Sequence, residues 1–429
     1  MEMIVAPDAL AQLAERFTAN WPDSEVLLVA DGNTWEAAGS RVASLLETTG
    51  IGVKTLVFAD QGRVVPDYDH VKLVLKSLDR VTRIPIAVGA GSINDIVKLA
   101  SHESNRGYCC IPTAPSVDGY TSANAPITFD GFKKTLACTP PQLIVADVEI
   151  LSEAPLWLIS SGYGDLMAKI TVGADWIVAD ELHIESIDHS IWEYVQGPLW
   201  ERIGQPEEIL DRQPHAIDLL FSGLVETGIA MKRYGSSRPA SGAEHLLSHV
   251  WEMEHLTYED QEVSHGHKVA LGTLVSTALH TLLAQSRWSW VIEQALAELE
   301  HAEEYQVDIL GGAYPEEMVK IAESKMLASG ELEERRQLIH SHWKQLGDRL
   351  SEQLIPFDRL RELLQAAHCP VEPADIGLSR TAVAKAMYIA PFIRTRYTVL
   401  DLARDCGILE PMIEEIVYTD RWFSRFMEV

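Results

Sequence analysis

The chain has 429 residues, 47% hydrophobic and 23% charged, with a formal net charge of -28 and a pI near 4.9. Such composition is that of a globular protein long enough for two or three domains. The charge repels phosphate backbones and anionic membranes, so nucleic-acid binding and membrane-surface roles are not expected. The opening MEMIVAPDAL lacks a basic stretch followed by an apolar core, and no apolar run approaches the roughly eighteen residues of a membrane helix. Five cysteines (Cys109, Cys110, Cys138, Cys369, Cys406) without C-x-x-C spacing read as reduced residues of a cytosolic protein, with Cys109 and Cys110 packed in a core beside a strand.

In chain order, the first third alternates strands and helices. Glu25 to Ala30 is an apolar run closed by Asp31-Gly32-Asn33, and Asn33 to Leu46 has helical spacing, with Ala37, Ala38, Val42 and Leu45 on its apolar side. Lys54 to Ala59 predicts a second strand, Asp69 to Leu78 a helix and Ile84 to Val88 a third strand. Continuous apolar strands between helices imply a parallel sheet covered on both faces. We therefore expect a doubly wound, Rossmann-like α/β nucleotide-binding domain over 1–151. From residue 152 helical periodicity dominates: Trp157 to Asp180, His215 to Tyr234, Ala243 to His255, His267 to Ala284, Trp290 to Tyr305, Pro315 to Ala328, Glu331 to Leu354 and Asp358 to Ala367. These predict an all-α domain over 152–429. The acidic runs Glu298 to Glu304 and Glu331 to Glu334 read as solvated helix faces.

Five blocks carry chemistry. The third strand runs into Gly89-Ala90-Gly91-Ser92-Ile93-Asn94-Asp95, where Ser92 is placed to cap a helix with Asp95 three residues on. Two small glycines and the amides of a helix start suit a cofactor pyrophosphate. Ile111 to Ser122 crowds hydroxyls, Asp118 and Gly119 at the open end of a parallel sheet, where ligands of such folds bind. Ser161-Gly162-Tyr163-Gly164-Asp165 follows, then Arg238-Pro239-Ala240-Ser241-Gly242-Ala243-Glu244-His245, and finally Ser264-His265-Gly266-His267-Lys268. His245 and His249, four apart, share a helix face. One aspartate with two or more histidines is a ligand set for a catalytic divalent ion, although among fifteen histidines chance clustering is a rival.

Together, in this order, the blocks resemble the sn-glycerol-1-phosphate dehydrogenases of the iron-containing alcohol dehydrogenase and glycerol dehydrogenase superfamily, closest to the bacterial arabinose-operon branch. The likeness spans roughly residues 20–280. It implies that Gly89, Ala90, Gly91, Ser92 and Ile93 hold the cofactor pyrophosphate and that Thr113, Ser116 and Ser122 contact the nicotinamide cofactor. It implies that Asp118 contacts substrate, that Asp165, His245 and His265 bind the metal, and that His249 lies beside the substrate. His267 is expected on the helix surface. Ala90 replaces a more usual glycine, which a negative φ would tolerate.

The implied reaction is NAD(P)H-linked reduction of dihydroxyacetone phosphate, with zinc, nickel or iron as metal, His249 with a water relaying the proton, and a place in phospholipid metabolism. A polyol dehydrogenase without phosphate recognition, a dehydroquinate-synthase-like lyase and a non-enzymatic scaffold are the rival readings. Asp60, closing the second strand, leans towards NAD. Arg238, and after it Lys133 and Lys134, are the candidate donors to the substrate phosphate, against the rival reading in which Arg238 pairs with a surface carboxylate. Trp288 and Trp290 are expected in packing or a subunit interface, in a cytosolic homo-oligomer of two or more chains.

Overall fold

The computed structural model describes residues 1–59, 63–80, 82–129, 132–285 and 316–428. The expectations for Asp60, for Trp288 and Trp290, for a helix over Trp290 to Tyr305 and for the acidic run Glu298 to Glu304 lie outside these. The chain forms two compact units: residues 1–166 with 200–235, and residues 167–199 with 236–429. The division is thus discontinuous, where a single boundary after residue 151 was expected. Stretch 200–235 returns to the first unit because its long helix packs there.

The first unit is built on a six-stranded, wholly parallel sheet. Its strands are β1 (Glu2–Ala6), β2 (Glu25–Asp31), β3 (Val53–Phe58), β4 (Arg83–Gly89), β5 (Cys109–Pro112) and, after a hairpin of β6 (Asn124–Phe129) and β7 (Phe132–Ala137), β8 (Leu143–Asp147). The order across the sheet is β1-β8-β5-β4-β2-β3, with Leu28 opposite Ile86 and Val88 opposite Ile111. Every residue of β4 and β8 is buried, as expected of central strands covered on both sides. Val26, Leu28, Ile86, Val88, Ile111 and Val145 form one core with Phe17 of α1 (Leu13–Asn20) and Val42 and Leu46 of α2 (Ser40–Thr48). The alternate residues face the other way, where α4 (Gly91–Glu103) packs with α3 (Tyr68–Ser77) beside it. Cys109 and Cys110 are fully buried in β5, and all five cysteines are free thiols in buried positions.

The expected helix over Asn33 to Leu46 runs from Gly32 to Thr48 but is widened by a π-turn at Trp35–Gly39. Asp31 caps it, accepting the Thr34 amide at 2.8 Å while its own amide donates to Thr34 Oγ1 at 3.0 Å. β2 and β4 are neighbours whose onward connections leave in opposite directions, to β3 and to β5. Their carboxyl ends flank the crevice at which open α/β sheets bind ligands. The unit also holds α5 (Leu156–Met167), which ends at the division, and the 21-residue α7 (Pro214–Tyr234).

The second unit is helical apart from a two-stranded ribbon, Thr257–Tyr258 with Gln261–Glu262. It contains α6 (Lys169–Glu181), α8 (Ala243–Met253), α9 (His265–Ala284), α10 (Ser329–Gln353), α11 (Phe357–Ala366), α12 (Arg380–Ile389), α13 (Val399–Asp405) and α14 (Leu409–Val417). α9 is its axis. Val269 to Leu279 are all buried, and α8, α11, α13 and α14 pack around it. Its near-continuous apolar sequence is that of a helix with no solvent face. Among the described residues no helix is long and apolar enough to cross a membrane.

Candidate functional site

In the first unit, β4 delivers the chain into α4 through Gly89 and Ala90. A Cβ on Gly89 would fall 2.6 Å from the Ile93 Cβ, so this glycine admits the Ile93 side chain. Ile93 is itself 1% exposed, so any approach of a ligand here is to backbone. Ala90 has φ -83°, which an alanine accepts without strain. Ser92 does not cap the helix: the N-cap is Ala90, which makes no side-chain cap bond. The reason is position, since Ser92 is already inside the helical turn. Asp95 pairs instead with Lys98 at 3.2 Å. The helix therefore begins with amides that no capping side chain occupies, a donor array with positive potential.

Lys98 is the organiser of the neighbouring loop. Its fully buried ammonium donates to the carbonyls of Gly119 at 2.6 Å and Asn124 at 3.0 Å, and approaches Ser122 Oγ at 3.4 Å. Ser122 Oγ also donates to Gly119 and Asn124 carbonyls, so its hydroxyl shapes the loop. The Thr113 amide donates to the Gly89 carbonyl at 3.3 Å, which places Thr113 beside the β4–α4 turn. Thr121 Oγ1 donates to the Val225 carbonyl of α7 at 2.6 Å.

Ser161 Oγ donates to the Ser116 carbonyl at 3.2 Å, binding this loop to α5. Gly162 makes that approach possible: a Cβ there would lie 1.7 Å from the Pro115 carbonyl oxygen. Asp165, wholly buried, then accepts the Asp118 amide on Oδ2 at 2.9 Å. Lys133 and Lys134 lie on β7; Lys134 is exposed, with its ammonium 5.7 Å from the Phe129 ring centroid.

In the second unit, α8 and α9 bring three histidines together. Ring centroids are 5.4 Å apart for His245 and His265, 6.4 Å for His245 and His249, and 6.1 Å for His249 and His265. His265 is the first residue of α9, whose N-cap Ser264 accepts the His267 amide at 3.3 Å. Two buried carboxylates, absent from the expected set, hold the rings. Glu244 Oε1 meets His245 Nδ1 at 2.9 Å and takes the Gly242 amide at 2.6 Å, while Thr171 Oγ1 donates to Oε2 at 3.0 Å. Glu252 Oε1 meets His265 Nδ1 at 2.8 Å and Oε2 meets His249 Nδ1 at 3.2 Å. An Nδ1–H given to a carboxylate leaves the ring's lone pair on Nε2, the arrangement of metal-binding histidines.

Burial pushes His249 down to about 4, although Glu252 opposes it, so the ring is neutral at pH 7. Burial pushes Glu244 upward, but His245 and the Gly242 amide outweigh it and hold the carboxyl below its ordinary range. His267 is half-buried rather than on the helix surface, and burial lowers it to about 4.

Arg238 is a correction. Its guanidinium is 1% exposed and donates to the carbonyls of Tyr397 at 2.9 Å and Asp175 at 2.7 Å, with Glu185 3.5 Å from Nε. It ties α6 to the segment before α13, and it does not present an open fork to a phosphate. The signals for the missed residues were present. Glu244 directly precedes His245, Glu252 stands three residues after His249 on one helix face, and Lys98 closes the glycine block.

Residues 4–155 match the family described as iron-containing alcohol dehydrogenase. The chain is 37% identical over 257 residues to glycerol-1-phosphate dehydrogenase (NAD(P)+) of Halalkalibacterium halodurans, an alignment covering 59% of this chain and 64% of that protein. The protein of the same name in Bacillus licheniformis is 32% identical over 297 residues, covering 69% of this chain and 74% of it. That of Geobacillus thermodenitrificans is 29% identical over 413 residues, covering 95% and 93%. Among solved structures, glycerol dehydrogenase from Schizosaccharomyces pombe superposes with a TM-score of 0.61 at 16% identity, covering 99% of this chain and 93% of that one. At that identity the likeness is one of fold.

Proposed function

Because this chain belongs to the glycerol-1-phosphate dehydrogenase family, within the iron-containing alcohol dehydrogenases, we propose that it interconverts dihydroxyacetone phosphate and sn-glycerol 1-phosphate using NAD(P)H and a divalent metal ion. The observation that carries this reading is the pair His245 and His265, each with its Nδ1 on a buried carboxylate. The buried carboxylate of Asp165, in the first unit, is our candidate for the third ligand, as the family likeness implies. Two imidazoles and a carboxylate suit zinc, nickel and iron alike; zinc or nickel is our first candidate and iron the third. The start of α4, with amides that no capping side chain occupies, suits the cofactor pyrophosphate.

When bound, the metal ion supplies Lewis acidity to the ketone and the cofactor supplies the hydride. The chain's residues do the rest. Asp118 donates its amide to Asp165 and so fixes the orientation of that ligand carboxylate, and its own side chain is our candidate for a substrate hydroxyl. The neutral His249 ring accepts a proton on Nε2 while Glu252 holds Nδ1, which suits a relay between substrate and water. Thr113 stands by the cofactor turn. Lys133 and Lys134 remain the candidates for the substrate phosphate. The enzyme is further expected to be a cytosolic homo-oligomer serving phospholipid metabolism.

The test is oxidation of NADH or NADPH with dihydroxyacetone phosphate and, in parallel, free dihydroxyacetone. Both are measured before and after chelation, with zinc, nickel and iron restored singly. Turnover selective for the phosphorylated ketone and dependent on one restored metal is expected. Equal turnover of both ketones, or indifference to chelation, overturns the proposal.

A further inference from the structure

Glu252 stands in the last turn of α8, and its carboxylate is 6% exposed. One oxygen takes Nδ1 of His265 at 2.8 Å, the other takes Nδ1 of His249 at 3.2 Å, and Lys268 Nζ lies 3.5 Å from the oxygen on His265. The two rings are nearly parallel, 28° apart. A carboxylate is an acceptor at both oxygens, so it asks both rings for the same tautomer. Both then carry Nδ1–H towards Glu252 and a lone pair on Nε2, on the side away from it.

We propose that Glu252 is a positioning residue shared by the metal ligand and the proton relay, a single carboxylate that sets the tautomer and orientation of His265 and His249 together. The proposal rests on reading His265 as a ligand. His245 does not depend on it, because Glu244 holds that ring separately. Lys268, 1% exposed, sets its ammonium beside the same carboxylate, 3.5 Å from the oxygen that meets His265.

Glutamine separates this role from simple space filling. Glu252→Gln keeps the shape but offers one acceptor oxygen and one donor nitrogen. Only one ring can then keep Nδ1–H towards residue 252; the other must reverse, and its Nε2 becomes a donor. The experiment uses the full-length protein stripped of metal, with zinc binding read by competition with a chromogenic chelator for wild type, Glu252→Gln, Glu252→Asp and His265→Ala. Long-range ¹H–¹⁵N spectra of histidine-labelled, metal-free protein report the tautomers.

In wild type, His249 and His265 are expected as Nδ1–H tautomers. Glu252→Gln is expected to reverse one of them and to weaken zinc about 10–100-fold, and Glu252→Asp, with both acceptors but a shorter reach, by less. Wild-type zinc affinity in Glu252→Gln while His265→Ala loses zinc overturns the role of Glu252 alone. Zinc retained by His265→Ala overturns the ligand assignment beneath it. Weakened zinc with both tautomers unchanged overturns positioning in favour of a charge effect. If Glu252→Gln does not fold, Glu252→Asp decides, and unchanged zinc binding in it overturns the proposal.

Discussion

The amide of Asp118 donates to Oδ2 of Asp165 at 2.9 Å, across 47 residues of chain, and both residues are buried. The loop that follows β5 is thereby tied to the carboxylate proposed as a metal ligand. Asp165→Asn can present its amide oxygen to the Asp118 amide and retain that bond while removing the ligand charge. Zinc affinity is expected to fall by more than about ten-fold, since losing a ligand costs at least as much as losing an outer partner. The far-ultraviolet dichroism of the metal-free protein should be unchanged. Wild-type zinc binding in Asp165→Asn would remove this residue from the donor set.

The two glycines of the β4–α4 turn are expected to fail differently. A Cβ at Gly89 meets Ile93 at 2.6 Å, whereas a Cβ at Gly91 meets only Val117 Cγ2, at 3.1 Å. Gly89→Ala should cost about 1–3 kcal/mol of stability through overpacking, read by urea denaturation. Gly91→Ala should leave stability nearly intact but raise the cofactor KM about five-fold, as for one backbone hydrogen bond lost to the pyrophosphate, with the substrate KM unmoved. A Gly91→Ala enzyme with unaltered cofactor KM places the pyrophosphate elsewhere.

Arg238→Met tests the structural assignment of that guanidinium. It leaves the carbonyls of Tyr397 and Asp175 without their donor and Glu185 without its cation. A loss of about 3 kcal/mol is expected in chemical denaturation. The ratio of kcat/KM on dihydroxyacetone phosphate to that on free dihydroxyacetone should not change. A selective loss on the phosphorylated ketone would restore Arg238 as a phosphate contact.

The pH dependence of stability has a source on α10. Arg349 donates to Glu181 Oε2 at 2.6 Å and Asp180 Oδ2 at 2.8 Å. For Asp180 burial pushes upward, but the Ile187 amide and Arg349 outweigh it; for Glu181 burial is likewise outweighed, by His342 and Arg349. Both carboxyls are therefore held below their ordinary values. Groups lowered in this way contribute stability that is present above the unfolded values, about 3.9 and 4.3, and is lost as pH falls through the folded ones. Because the pairs are partly solvated, Arg349→Met should cost only about 1 kcal/mol at pH 7. The difference from wild type should close below pH 4 in thermal melts. A difference constant from pH 7 to 3 would assign the effect to packing.

Strands β2, β3 and β4 were legible because buried parallel strands are unbroken apolar runs bounded by turn residues. β1, only Glu2 to Ala6 and half-buried at a sheet edge, carries too little pattern to be read, and the β6–β7 hairpin hides its strands behind Pro126 and the Lys133-Lys134 pair. The ligand candidates and the cofactor turn were legible from blocks in a fixed order. Glu252 was legible only as a neighbour of His249 on one helix face, because its other partner, His265, lies thirteen residues on and in another helix. Arg238 was misread for the converse reason: a basic residue beside a motif does not disclose which carbonyls fold over it. The discontinuous first unit was equally hidden, since it depends on Thr121 meeting Val225 of α7.

That discontinuity sets the timetable of synthesis. The first unit takes its last segment from 200–235, so its contacts are incomplete until more than half the polypeptide exists. At about 5–20 residues per second, the ribosome needs on the order of ten to fifty seconds to reach that point. Throughout this interval the nascent sheet lacks α7, and residues 167–199 of the second unit are already made without their partners. The order of emergence therefore cannot be the order of completion. Cleaving the gene at residue 151 would yield a fragment lacking α7, a candidate for chaperone capture.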